Sequence, residues 1–293
     1  MLRMGHWRRG VMMLALATGV SSVSAARARD PVSLAPSEPW QVHYADESCL
    51  MMRAFGQDKH KVSAWFEQTA AGHRFSLTLI GKSLDAGEPF TRAATTFLPV
   101  GKRAAHERVG SGTTSDSKLP LLIFESVLLL GPVEKASDVD SYDWTQAGAV
   151  EDLLVEYRGK SLLLKFGRME RVLAAMNTCT DELLTHWGLD AAAQRTLRQR
   201  TRPLTNPGNW LRSADFPSAA LAKGSSAIVH FRLTVDATGK VIGCAIPSAT
   251  LGAEFAKVTC NGISRRARFE PALDKDGKPV ASYYVSTVTW VNS

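Results

Sequence analysis

The chain lacks most of the short patterns that announce an active site. It has no G-x-S-x-G elbow, no H-E-x-x-H, no phosphate-cradling G-x-x-x-x-G-K-[ST], no G-x-G-x-x-G and no C-x-x-C. These gaps argue against serine hydrolases of the elbow type, zincin proteases, P-loop nucleotidases, dinucleotide-binding oxidoreductases and clustered-thiolate zinc sites. The histidines are few and scattered, and none has a histidine partner at helical ligand spacing. No internal repeat and no Pro/Lys/Glu-rich spacer interrupts the sequence. Metal and cofactor chemistry are therefore not expected, and the chain is read as non-catalytic.

It also lacks a hydrophobic run of membrane-spanning length, which requires about 20 residues. The longest internal candidate, Leu119 to Leu130, is short and carries Pro120 and Glu125. At the N-terminus Arg3, Arg8 and Arg9 precede the apolar run Val11 to Val20, and Val23-Ser24-Ala25 supplies small residues for cleavage. Residues 1–25 are read as a secretory signal cleaved before Ala26, which places the mature protein in the periplasm without a stable membrane span. The alternative is an uncleaved signal that anchors the chain in the inner membrane. Charge is also in short supply. Loss of Arg3, Arg8 and Arg9 leaves 32 of the 35 basic residues against 28 acidic ones, a net charge of +4. So mild an excess does not point to nucleic acid.

Cysteine is sparse but even in number: Cys49, Cys179, Cys244 and Cys260. Behind a secretory signal, four cysteines favour disulfides, in one of three pairings. Cys244 and Cys260 lie in a C-terminal module, whereas Cys49 and Cys179 lie upstream, so pairing within domains gives Cys244–Cys260 and Cys49–Cys179. Loop-closure entropy would make the short bridge worth about 3 kcal/mol and the long one about 4–5 kcal/mol before strain.

What is present divides the 293 residues into two folded parts. Residues 26–39 read as a polar, Pro-bearing tether. Residues 40–190 read as a β-rich domain closed by a helix. Strands are expected at Trp40–Tyr44, Val62–Glu67 and Arg74–Ile80, and a hairpin at Leu153–Lys165 around Arg158-Gly159. Gly101 to Lys118, rich in Gly, Ser and Thr, reads as a loop. Leu119–Leu130 reads as a buried strand or a short buried helix. Met169, Leu173, Met176, Cys179, Leu183 and Trp187 recur at helical spacing, which turns Cys179 inward. Residues 191–209 read as a basic linker broken by Pro203, Pro207 and Gly208.

Residues 210–293 form the most sharply punctuated part of the chain. A helix-start signal, Asp215 to Leu221, precedes an alternating strand, Ile228–Val235, and a turn, Asp236 to Gly239. A second strand at Val241–Ile246 leads into a helix that ends near Arg268. A turn at Asp276–Pro279 then precedes a last strand, Ser282–Val291. The expected fold class is α+β, with the β-rich domain followed by a small three-stranded antiparallel sheet carrying a helix on one face.

Several clusters admit a functional and a plainer reading. Asp274-Lys275-Asp276-Gly277 opens like a calcium loop, but Lys278 and Val285 stand where further ligands belong, so it reads as a turn. Glu134, Asp138, Asp140 and Asp143 suit a solvated loop better than a cation site. His230 sits in an alternating strand and reads as outward or satisfied. Arg195, Arg198, Arg200 and Arg202, with Arg265, Arg266 and Arg268, could meet an acidic envelope partner. For the last three, the dipole at a helix C-terminus is sufficient reason.

The C-terminal module resembles the TonB C-terminal domain. The resemblance rests on Phe216-Pro217 with Ala220, on Gly224, and on Val235-Asp236 with Gly239 and Val241. It continues through Arg268-Phe269 with Pro271-Ala272, and through Gly277 with Pro279-Val280. It implies capture of an extended peptide by strand addition along the last strand. The residues it points to are Tyr283, Tyr284, Val285, Ser286, Thr287, Val288 and Thr289. Alternation puts Tyr283, Val285, Thr287 and Thr289 on one face. The partner it implies is an outer-membrane receptor or another envelope protein, in or alongside TonB-type transmembrane transport.

The chain departs from that family in its expected cleavable signal, its missing spacer, its second domain, its cysteine pair and Ala227 at a common glycine position. Peptide capture is accordingly expected rather than force transmission by this chain alone. The alternatives are a structural envelope factor that binds peptidoglycan or oligomerises, and an enzyme with its site in the N-terminal domain.

Overall fold

Alternation of apolar and polar residues builds most of the N-terminal half. In Val62–Gln68, for example, Val62, Ala64, Phe66 and Gln68 are buried while Trp65 is exposed, the period-two signature of a sheet with one wet face. The computed structural model describes residues 30–84, 87, 90–132, 144–249 and 253–292. The expected signal and the acidic cluster Glu134, Asp138, Asp140 and Asp143 lie outside them.

Ten strands make one curled sheet: β1 (Val32–Leu34), β2 (Gln41–Tyr44), β3 (Cys49–Phe55), β4 (Val62–Gln68), β5 (Phe75–Gly81), β6 (Phe90–Leu98), β7 (Ala104–Thr113), β8 (Pro120–Val127), β9 (Asp152–Tyr157) and β10 (Lys160–Lys165). Their order is β1-β10-β9-β6-β7-β8-β5-β4-β3-β2. Neighbours are antiparallel except β1 and β10, which run parallel. Just past β1 the chain reaches the other margin: Ser37 N–H donates to Ala54 O, Gly56 N–H donates to Ala35 O, and Pro36 bridges Phe55. One short segment thus ties the two ends of the sheet together and shields edges that would otherwise be open.

Phe66 lies at the centre of the inner face. Its ring sits 5.7–6.2 Å from those of Trp40, Phe75, Phe97 and Phe166, mostly edge-on, the geometry that aromatic quadrupoles favour. Two helices follow the strands or interrupt them: α1 (Trp144–Gly148) and α2 (Glu170–His186). The buried stripe of α2, Val172, Leu173, Met176, Cys179 and Leu183, joins the same core. Cys179 is bonded to Cys49 of β3, with the Cα atoms 6.0 Å apart. The other expected pair, Cys244–Cys260, is also a disulfide.

Three expectations need correcting. Gly101–Lys118 is not a loop, because β7 occupies Ala104–Thr113 between β6 and β8. Composition hid it: Gly110 pairs with Phe90 on one side and Ile123 on the other, and Gly112 lies opposite Leu121, so neighbouring strands and not local propensity stabilise the strand. The expected tether carries β1. The segment 191–209 folds instead of merely linking. It forms α3 (Ala191–Arg195), capped by the Asp190 carboxylate, and β11 (Arg202–Pro203). The ambiguous apolar run is a strand, β8.

The C-terminal part contains α4 (Ser218–Ala222), β12 (Ala227–Val235), β13 (Val241–Ala249), α5 (Ala253–Arg266), β14 (Phe269–Glu270), β15 (Ala272–Leu273), β16 (Pro279–Val280) and β17 (Ser282–Trp290). Its main sheet is antiparallel in the order β13-β12-β17. β11 pairs with β14, and β15 pairs with β16. Val229, Phe231, Leu233 and Val235 pack with Phe255, Ile263 and Ala267 of the α5 region. At the β12–β13 turn, Asp236 Oδ1 accepts from Thr238 N–H and Lys240 N–H. Gly239 there has φ 81°, and a Cβ at that position would collide with Phe269 O. Among the described residues, no helix is long and apolar enough to cross a membrane.

Because Phe66 touches four rings at once, Phe66→Ala is expected to cost about 3–5 kcal/mol of stability. Urea denaturation followed by tryptophan fluorescence checks this.

Candidate peptide-binding edge

A three-stranded sheet has two faces, and α5 covers only one. The other is lined by His230 and Arg232 of β12 and by their register partners Thr287 and Val285 of β17. The N-terminal domain meets this face. Arg232 is almost fully buried, with its Nη2 3.0 Å from Glu47 Oε2 and its guanidinium 3.7 Å above the Trp187 ring. Burial lowers the Arg232 pKa and Glu47 opposes that effect, so the carboxylate and the ring together hold a desolvated cation in place. Tyr283 stacks edge-on against Trp187 at 5.6 Å and donates its hydroxyl to Ala71 O at 2.6 Å. His230 bonds Thr287 Oγ1 through Nδ1, at 2.8 Å. Burial lowers its pKa, against the raising influence of Glu125 and Glu67.

β17 is paired on one side only, so every second residue turns its N–H and C=O away from the sheet. Its two halves differ. At the start, Gln194 of α3 donates to Ala281 O and accepts from Ser282 Oγ, and Tyr283 is held as described. Tyr284 packs in the core against Trp210, Phe231 and Phe269. From Val285 onward the strand opens: Val285, Thr287 and Thr289 are exposed, while Ser286 and Val288 are half-buried. The side chains of Tyr283 and Tyr284 are therefore engaged within the protein. The remaining expected site residues lie along the accessible stretch.

Beside that stretch runs a groove of roughly 520 Å³, walled by Leu211, Arg212, Phe216 and Leu221 on one side and by Val288 to Asn292 on the other. The Asp215–Arg266 pair fixes the first wall. Arg266 donates from both terminal nitrogens to the Asp215 carboxylate, at 2.7 and 2.9 Å, and from Nη1 to Trp210 O. Asp215 also accepts from Arg212 N–H. The Arg266 hydrogen bond is the largest influence and pulls the Asp215 pKa down to about 2; burial opposes it, and the Arg212 backbone bond adds to the lowering. The groove wall and the Arg232 junction escaped the sequence reading because each joins residues far apart in the chain. The nearest local sign was the Asp215 to Leu221 helix start itself.

The other candidate clusters have structural partners. Asp274 Oδ1 accepts from Asp276 N–H and Lys278 N–H, which makes that acidic run a turn. Arg195 pairs with Asp181 and Arg202 with Glu270. Arg265 and Arg268 donate to carbonyls at the end of α5. Among the described residues, no group of three or more His, Cys, Asp or Glu is placed to hold a metal.

Residues 212–291 match the family described as Gram-negative bacterial TonB protein C-terminal. The match begins at the groove wall and ends just past β17, so the chain carries a TonB C-terminal domain that contains the whole candidate edge. No curated protein matches the chain.

Asp215 has a lowered pKa when folded. Its contribution is full above the ordinary carboxylate value and disappears as the pH falls from about 4 towards about 2. Asp215→Asn is expected to cost about 2 kcal/mol at neutral pH and to flatten the acid limb of stability over that window. Urea midpoints measured across pH check both effects.

Proposed function

We propose that this chain, which carries a TonB C-terminal domain, is a non-catalytic periplasmic binding protein. It captures an extended segment of an outer-membrane receptor or another envelope protein, in or alongside TonB-type transmembrane transport. The observation that carries this reading is an unpaired stretch of β17 next to an apolar-walled groove. Strand addition supplies affinity through backbone bonds and selectivity through alternate side chains.

The opposite edge of the sheet suits capture less well. β13 contains Pro247, which has no N–H to donate, and its register against β12 is irregular. A non-catalytic role is further supported by the cysteines, all four of which are joined in disulfides and leave no thiol nucleophile. The periplasmic location rests on the family and on the N-terminal signal pattern.

A photo-crosslinking side chain at Thr287 of the exported protein is expected to capture an envelope protein, the adduct lying in an extended segment of that partner. Recovery of no envelope protein from a correctly exported variant would sink strand capture.

A further inference from the structure

The geometry points to a guest strand of restricted register and charge, an inference that rests on the strand capture proposed above. The N-terminal domain closes the first part of β17. The guest pairs only with the remainder, from Val285 to Trp290, sets apolar side chains into the groove walled by Leu211, Phe216, Leu221 and Val288, and places a carboxylate against Arg212.

Three observations support this. The start of β17 is occupied on both flanks: α3 holds Ala281 and Ser282 through Gln194, while Trp187 and Ala71 hold Tyr283. Those contacts come from the linker segment and the N-terminal domain, so the restriction belongs to the whole chain rather than to the small sheet alone. Beyond them the strand is accessible: Val285 is 38% exposed, and Leu221 across the groove is 56% exposed. The pairing length that remains is about six residues, close to 20 Å of strand at about 3.3 Å each.

Magnitudes make the groove necessary. About six backbone bonds at roughly 1 kcal/mol net each fall short of the roughly 8 kcal/mol that corresponds to micromolar binding, before any entropy of association is charged. Apolar side chains entering the groove supply the difference at about 25 cal/mol per Å² removed from water.

Charge selects the guest further. Arg212 is the one charged residue among those lining the groove. Its backbone N–H bonds Asp215, but Asp215 is committed to Arg266, and the exposed Arg212 guanidinium has no ion-pair partner among the described residues. A guest carboxylate there would gain a charge-assisted, two-pronged partner, whereas a guest lysine would be repelled.

The test uses the full exported protein with a photo-crosslinking side chain placed singly at Ala281, Thr289 and Leu221, each adduct being mapped by mass spectrometry. Adducts from Thr289 and Leu221 are expected to fall in one segment of about six residues that contains Asp or Glu, while Ala281 crosslinks only within its own chain. Arg212→Glu is expected to lower the Thr289 yield by roughly tenfold, because it would set like charges against each other, with Arg212→Lys close to wild type. Equal capture of that segment from Ala281, unrelated adduct sites from Thr289 and Leu221, or indifference to Arg212→Glu would each overturn the register and charge assignment and leave strand capture standing. Absence of any partner adduct at all three positions would overturn strand capture and this inference together.

Discussion

A buried guanidinium organises the junction between the two halves of this protein. Arg232 lies on the face of a three-stranded sheet that has no helix to cover it, and a charge removed from water needs a partner and a surface. Glu47 provides the first and Trp187 the second, both from the N-terminal domain. Tyr283 adds a hydroxyl bond to Ala71 at the same place. From Pro31 onward the chain is one compact unit, and these contacts join the N-terminal core to the domain that holds the two C-terminal clusters.

The disulfides reinforce each half separately. Cys49–Cys179 fixes α2 to β3 across most of the N-terminal sequence, and Cys244–Cys260 fixes α5 to β13. Neither crosses the junction, so apart from the connecting chain the two halves are held against each other by non-covalent contacts. The segment between them contributes as well, since β11 pairs with β14 and Gln194 reaches the start of β17. A stretch rich in proline and arginine is thereby converted from a connector into part of the C-terminal fold.

This arrangement gives the edge strand its particular character. A free TonB-like sheet would present β17 along its length. Here its start is held by α3 and by the N-terminal domain, and only the later part lies open beside the groove. The two tyrosines, the most conspicuous residues of the strand, are occupied in packing and in the junction, whereas the plainer Val285, Thr287 and Thr289 remain accessible.

The sequence by itself determined the elements whose signals are local. These include the alternating strands β4, β5, β9 and β12, the helix α2 with Cys179 turned inward, the turns at Asp236–Gly239 and Asp274–Gly277, the division of cysteines into two pairs, and the family of the C-terminal domain. Their causes lie within a few residues: side-chain period, a carboxylate accepting backbone N–H groups, a glycine at positive φ. Tertiary structure alone decided the rest. β7 exists because two neighbours pair with a glycine-rich segment, and β1 because it pairs with β10 before the chain crosses to the other margin of the sheet. Leu211, Phe216 and Leu221 become a wall only when Asp215 meets Arg266, and Arg232 becomes buried only when Glu47 and Trp187 arrive from the other domain. Such contacts depend on where distant segments meet, and a local pattern carries no record of that.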